Sequence, residues 1–277
     1  MEIKEEINFK NRKKDLLNKK VIAAVAIVLI IIAIIVYITS NSKSAFQSQL
    51  KKMGFTRLEN EGFICDAIKK DSKLMMTTRK YSFIAINGEV YDISFNSLEK
   101  GKQNCEKKKF DTKIKSHIDN IVVGEDGKYY AIYDNLAEKE DVSFSIGIED
   151  IVQKSYQFIL KKDGNIYFQE NPDDQKVVLK YKKSDVKGNI QSFSVINSDY
   201  VENEERKIVI MTDKAIYYTR ATNKKECKNY ADIKCEYQLV KDKILSRFRK
   251  YILYVDDTAI ITKDGQVLYV NDYFDKK

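Results

Sequence analysis

Eighteen consecutive residues from Val21 to Ile38, VIAAVAIVLIIIAIIVYI, carry no charged or strongly polar side chain. As a helix this run reaches about 27 Å, enough to cross a bilayer core, and a helix satisfies its own backbone hydrogen bonds in lipid. Its β-branched residues are poor formers of an isolated helix in water, and apolar side chains on every face do not suit the surface of a small domain. Tyr37 at the outer end fits an interface belt. Ahead of the run, Lys4, Lys10, Arg12, Lys13, Lys14, Lys19 and Lys20 stand against four carboxylates, which by the positive-inside rule holds the N-terminus in the cytoplasm. Residues 1–20 are therefore read as a cytoplasmic tail and 21–38 as a single transmembrane helix in the cell membrane. The remainder is read as extracytoplasmic. A cleaved signal sequence with its exit near Ser42, Ser44 and Ala45, or a buried core helix, are the alternatives.

That topology bears on the four cysteines, Cys65, Cys105, Cys227 and Cys235, which all follow the apolar run and so lie where disulfides persist. An even count supports pairing, and proximity favours Cys65 with Cys105 and Cys227 with Cys235. A zinc site is the weaker reading, because there is no Cys-x-x-Cys and His117 is the only histidine.

After the apolar run, Ser44 is placed to cap a short helical stalk (39–54) bearing Phe46, Leu50 and Met53 on one face, with Gly54 to end it. From there short apolar runs between turn residues point to a mainly β ectodomain. One pattern recurs in it. Apolar pairs flank Asn87-Gly88, Asp126-Gly127, Asp163-Gly164, Asp213-Lys214 and Asp264-Gly265, and each copy reads as a β-hairpin. Type I′ geometry is expected at these turns, with Gly88, Gly127, Gly164 and Gly265 at positive φ. The copies recur at intervals of about forty to fifty residues, near the length of a four-stranded propeller blade.

The segments IEDIVQKSYQFILKKDGNIYFQ (148–169) and ILYVDDTAIITKDGQVLYVN (252–271) resemble the repeat of regulator-of-chromosome-condensation-type β-propellers, in which a strand leads into a hairpin ending in Asp-Gly-x-Val-Tyr. The resemblance implies a propeller-like repeat fold. The residues by themselves leave another all-β or an α+β arrangement equally open. A first β subdomain (55–110) and a hairpin-repeat domain (111–277) are expected. A polar stretch, 221–235, interrupts the repeats as a long loop closed by Cys227 and Cys235, and such loops often carry binding.

Little catalytic chemistry is visible. His117 lies between Lys115 and Asp119, with no Gly-x-Ser-x-Gly elbow anywhere. Asp173-Asp174 and Asp256-Asp257 are paired carboxylates that would serve an envelope hydrolase only if the fold gathered them. Calcium-loop and phosphate-cradling motifs are missing, and no cofactor or metal is expected. Lys and Arg exceed Asp and Glu by eight, with three of that excess in the N-terminal tail. Lys107, Lys108, Lys109, Lys113 and Lys115, close to Lys100 and Lys102, form the densest basic stretch and are the candidate binding residues. Outside the cytoplasm they would meet an anionic cell-envelope polymer rather than nucleic acid. The expectation is a non-enzymatic recognition module displayed at the cell surface to such a polymer or to a protein partner. A hydrolase and a structural assembly component are the competing classes.

Overall fold

Valine, isoleucine, tyrosine and phenylalanine pack well on a pleated surface, and wherever the chain strings them between turn residues it forms a strand. The computed structural model describes residues 2–54, 63–78, 81–92, 105–119, 121–132, 136–140, 142, 149–169, 175–196, 207–221, 237–255, 259–269 and 273–274. The chain divides into two units, Met1–Gln49 and Leu50–Lys277.

In the first unit α1 (Glu2–Ser40) is one continuous helix. Its stretch Val21–Ser40 is long and apolar enough to cross a membrane, and its large apolar side chains are exposed on all faces. The Asn41 side-chain amide donates to Tyr37 O (2.7 Å), satisfying a carbonyl at the helix end. A second helix, α2 (Lys43–Lys52), starts one turn later. Its cap is Ser42 rather than the expected Ser44: Ser42 Oγ accepts from Ala45 N at 3.1 Å, and Ser44 falls inside the helix. Gly54, at φ +82°, follows its end.

The second unit opens with β1 (Phe63–Ile64) and then runs as a series of antiparallel meanders. The first is β2 (Leu74–Thr78), β3 (Tyr81–Ile86), β4 (Glu89–Asp92) and β5 (Glu106–Lys107). The second is β6 (Ile114–Ile118), β7 (Ile121–Gly124), β8 (Tyr129–Ala131) and β9 (Ala137–Lys139). The third is β10 (Ile151–Ser155), β11 (Phe158–Lys161), β12 (Ile166–Phe168) and β13 (Val178–Tyr181). The fourth is β14 (Ile190–Val195), β15 (Ile208–Thr212), β16 (Ile216–Ala221) and β17 (Tyr237–Lys241). The fifth takes β18 (Ile252–Val255), β19 (Ala259–Thr262) and β20 (Gln266–Tyr269) from the end of the chain and β1 from the start, with Phe63 opposite Val267. The division expected near residue 110 falls inside this unit.

The second and third meanders join into one eight-stranded sheet, because β6 and β10 pair in parallel with His117 opposite Gln153. Among the described residues no strand ladder closes into a ring. The first meander meets the second, and the third meets the fourth, face to face, and the alternation of side chains shows how. Ile114, Val122 and Tyr130 pack with Phe83, Ala85 and Val90 of the first meander. The opposite faces of those strands, Ile118 and Val123, pack with Ile151 and Ile159 of the third. Phe158, Leu160 and Ile166 in turn meet Phe193, Ile208 and Ile210 of the fourth. Strand β15 is buried on both faces, and its sequence opens on four consecutive apolar residues, IVIM, rather than an alternation. Burying each such side chain stabilises the fold by roughly 1.5–3 kcal/mol.

Polar links reinforce the same neighbours. Gln153 reaches from β10 to β14, donating to Phe193 O (2.6 Å) and accepting from Phe193 N (3.2 Å). Arg249, 7% exposed, donates from Nε to Thr212 O (2.5 Å), from Nη2 to Gln191 Oε1 (2.6 Å) and from Nη1 to Ile252 O, tying the fourth meander to the fifth. The fifth and first meanders are joined by the Cys65–Cys105 disulfide, whose cysteines directly follow β1 and directly precede β5.

Candidate functional site

Within each meander the turn between the second and third strands and the segment leading to the next meander lie at the same end of the strands. The turns are not all of the expected type. Asn87 (φ +54°) and Gly88 (φ +81°) are both left-handed, as type I′ requires. At Gly127, Gly164 and Gly265 only the glycine is left-handed, at +81°, +82° and +83°. Gly127 N donates to Gly124 O (3.1 Å) and Gly124 N to Lys128 O (2.9 Å), which is a type I turn with a glycine bulge. The preceding aspartate explains the difference. Its carboxylate accepts from the amide two residues on, Lys128 N to Asp126 Oδ1 (3.1 Å) and Asn165 N to Asp163 Oδ1 (2.9 Å), so the aspartate keeps ordinary φ. A tyrosine four residues on completes the device: Tyr167 Oη donates to Asp163 Oδ2 (2.7 Å), and Tyr130 Oη to Asp126 Oδ2. The latter bond holds the Asp126 carboxyl below its ordinary pKa and pushes the Tyr130 phenol up to about 12. The fourth turn, lacking glycine, uses Thr212 Oγ1 to accept from Ala215 N (2.8 Å).

The connecting segments lean on these turns. Ile114 N donates to Gly88 O (2.8 Å), Lys183 N to Asn165 Oδ1 (2.9 Å), Asn189 N to Asp213 Oδ1 (2.7 Å) and Cys65 N to Gly265 O (2.9 Å). Four of the connectors, 65–73, 108–113, 182–189 and 242–251, hold thirteen Lys and Arg against five Asp. Two of those carboxylates are engaged by the backbone. Asp185 accepts from Lys182 N (2.8 Å), and the buried Asp242 caps α3 (Lys243–Arg247) through Ile244 N (3.0 Å) and Leu245 N (2.8 Å). Cations crowd one another here. Burial lowers the Lys263 pKa, and the charges of Arg249 and Lys70 lower it further. The fifth connector, 140–150, carries four carboxylates and no cation.

The expected binding lysines divide. Lys109, Lys113 and Lys115 are exposed, Lys113 beside Gly88. Lys107 Nζ pairs with Glu89 (2.9 Å), and Lys108 Nζ lies 4.0 Å over the Phe83 ring. Lys69, Lys70, Lys73, Lys182, Lys183, Lys187, Lys243 and Lys250 join Lys109 and Lys113 at this end, and sequence reasoning passed them over. Their signal was position in the repeat, each lying between the last strand of one meander and the first of the next.

His117 is buried in β6, and burial pushes its pKa down to about 4. The candidate residues Lys100, Lys102, Asp173, Asp174, Asp256, Asp257, Cys227 and Cys235, with the rest of 222–236, lie outside the described residues. Among the described residues no group of His, Cys, Asp and Glu is placed to hold a metal ion. No protein-family model matches this chain, and no curated protein is similar to it in sequence.

Proposed function

We propose that this protein is a membrane-anchored, extracytoplasmic recognition module, non-enzymatic, with its N-terminus in the cytoplasm. The observation that carries the reading is an exposed apolar helix, Val21–Ser40, ahead of a β unit that contains a disulfide. A helix of that length and surface is at home in lipid, and a disulfide persists outside the reducing cytoplasm. The five meanders then act as blades of a propeller-like scaffold, as the regulator-of-chromosome-condensation-type resemblance implies. Supporting this are the face-to-face packing of the first meander on the second and of the third on the fourth, and the completion of the last by β1. Recognition rather than catalysis fits the burial of the only histidine, which leaves its imidazole neutral and out of reach of a substrate at pH 7.

Protease added to intact cells is expected to remove the region after residue 40 while a tag at the N-terminus stays protected. Digestion of that tag from outside refutes the topology. Glycan or peptide hydrolysis by the purified protein, abolished by changing one carboxylate, refutes the non-enzymatic reading.

A further inference from the structure

We infer that the connector end of the second unit is a cationic arc that binds a linear phosphate-backbone polymer; the inference rests on the extracytoplasmic recognition reading above. Taken in the order of the meanders, the four basic connectors are consecutive. Segment 182–189 leads from the third to the fourth, 242–251 from the fourth to the fifth, 65–73 from the fifth to the first, and 108–113 from the first to the second. The chain between the second and third meanders, 140–150, is acidic in sequence, with four carboxylates and no cation. The positive surface is thus an arc with two ends, a shape that suits a chain laid along it better than a compact anion.

The arc is built rather than incidental. Each basic connector is held against a hairpin turn or a strand end by a backbone-directed hydrogen bond. These are Cys65 N to Gly265 O (2.9 Å), Ile114 N to Gly88 O (2.8 Å), Lys183 N to Asn165 Oδ1 (2.9 Å) and Asp242 N to Ile216 O (2.9 Å). Little ordering of the backbone is left to be done when a ligand arrives. The carboxylates of Asp185 and Asp242 accept from backbone amides, and that of Asp242 also from Tyr273 Oη (2.9 Å). The cations are mostly lysine. Arg249 is turned inward onto Thr212, Gln191 and Ile252, and the Arg247 guanidinium lies 5.2 Å from the Phe248 ring. Lysine offers a hydrated point charge without the planar fork by which arginine grips carboxylate or phosphate in a fixed bidentate geometry, so an array of lysines suits repeated single charges on a flexible backbone. Near the other strand ends Lys154 is paired with Asp119, and Lys176, Lys207 and Arg220 stand in different strands or strand approaches.

The test uses the full chain in nanodiscs of zwitterionic lipid, with labelled linear polyphosphate as the probe. Wild-type protein is expected to bind it, with affinity falling about tenfold or more from low to physiological salt as the entropy gained by releasing the polymer's counterions shrinks. The triple variant Lys70→Glu, Lys183→Glu, Lys243→Glu should lose a further factor of about ten, while Lys176→Glu, Lys207→Glu, Arg220→Glu should stay within about twofold. Should the first variant melt early, the same positions changed to Gln give the reading with a smaller loss. Equal weakening by the two triples would reduce the effect to net charge and overturn the arc. Absence of binding, or tighter binding to phosphatidylglycerol vesicles than to polyphosphate at equal phosphate, would overturn the polymer. Those failures leave the recognition reading standing, whereas digestion of an N-terminal tag from outside defeats that reading and leaves the binding result intact.

Discussion

The junction between the second and third meanders and the junction between the fifth and first solve one problem by opposite means. At the former, β6 and β10 lie close in the chain and pair backbone to backbone, with Ile118, Val123, Ile151 and Ile159 beneath them. At the latter the partners come from the two ends of the unit. Strand β1 contributes only Phe63 and Ile64 to its ladder, and the covalent link between Cys65 and Cys105 supplements it. Contacts between distant parts of a chain cost loop-closure entropy before they return anything; the crosslink removes such cost from the unfolded state only for the forty residues between Cys65 and Cys105, fixing the first meander to β1 rather than β1 to β20.

Breaking the crosslink should therefore have the largest effect. For a loop of forty residues, the sequence separation of Cys65 and Cys105, the chain-entropy model assigns about 4 kcal/mol to the bond. Cys105→Ser is expected to lower the denaturation midpoint of the protein by a corresponding amount in a urea titration, and reductant should do the same to wild type. A midpoint unchanged by either would mean that the terminal junction stands on its two-residue strand alone.

The chain-local junction has its own weakness, the buried His117 opposite Gln153. Burial lowers its pKa from the ordinary 6.5 to about 4, against a smaller opposing effect of Asp119. The unfolded chain then binds this proton more tightly than the folded one. Stability is full above pH 6.5 and declines as the pH falls toward 4, by roughly 3 kcal/mol if His117 acts alone. His117→Gln should flatten that part of the pH–stability curve. A variant curve parallel to wild type between pH 7 and 4 would assign the acid sensitivity to other groups.

The two junctions also differ in how far the amino-acid sequence discloses them. Val21–Ile38, the glycine turns and the mainly β class are local patterns, each legible within a short stretch. The Cys65–Cys105 pair was legible by proximity. The partnership of Phe63-Ile64 with Gln266-Val267 was not, because a strand's period of two says which face is apolar and nothing about which strand lies alongside. Arg249 likewise reads as one more surface cation until tertiary structure folds it onto Thr212 and Gln191. In the candidate site, the lysines of 107–115 drew notice as a run. Those of 65–73, 182–189 and 242–251 are spread along the chain and come to one end of the strands only through the order of the meanders.

The smallest expected effect separates the terminal junction from a turn whose glycine faces open space. Gly265 and Gly127 share nearly the same left-handed backbone, φ +83° and +81°, so a β-branched residue is strained at either by about 1–2 kcal/mol. Their surroundings differ. A Cβ at Gly127 meets nothing within 4 Å, whereas at Gly265 it would stand 2.6 Å from Cys65 O, a backbone atom fixed by the hydrogen bond from Ile68 N (3.1 Å). Gly265→Val must therefore displace the Cys65–Ile68 turn as well as strain its own backbone, and is expected to cost about 1–3 kcal/mol more than Gly127→Val. Gly164→Val, with Lys183 side-chain carbons at 3.6 and 3.8 Å, should fall near Gly127→Val and still exceed the exposed Lys162→Val. Melting temperatures of the four variants decide the matter. If Gly265→Val melts with Gly127→Val, then the segment following β1 yields freely, and the disulfide alone holds the first meander to the last.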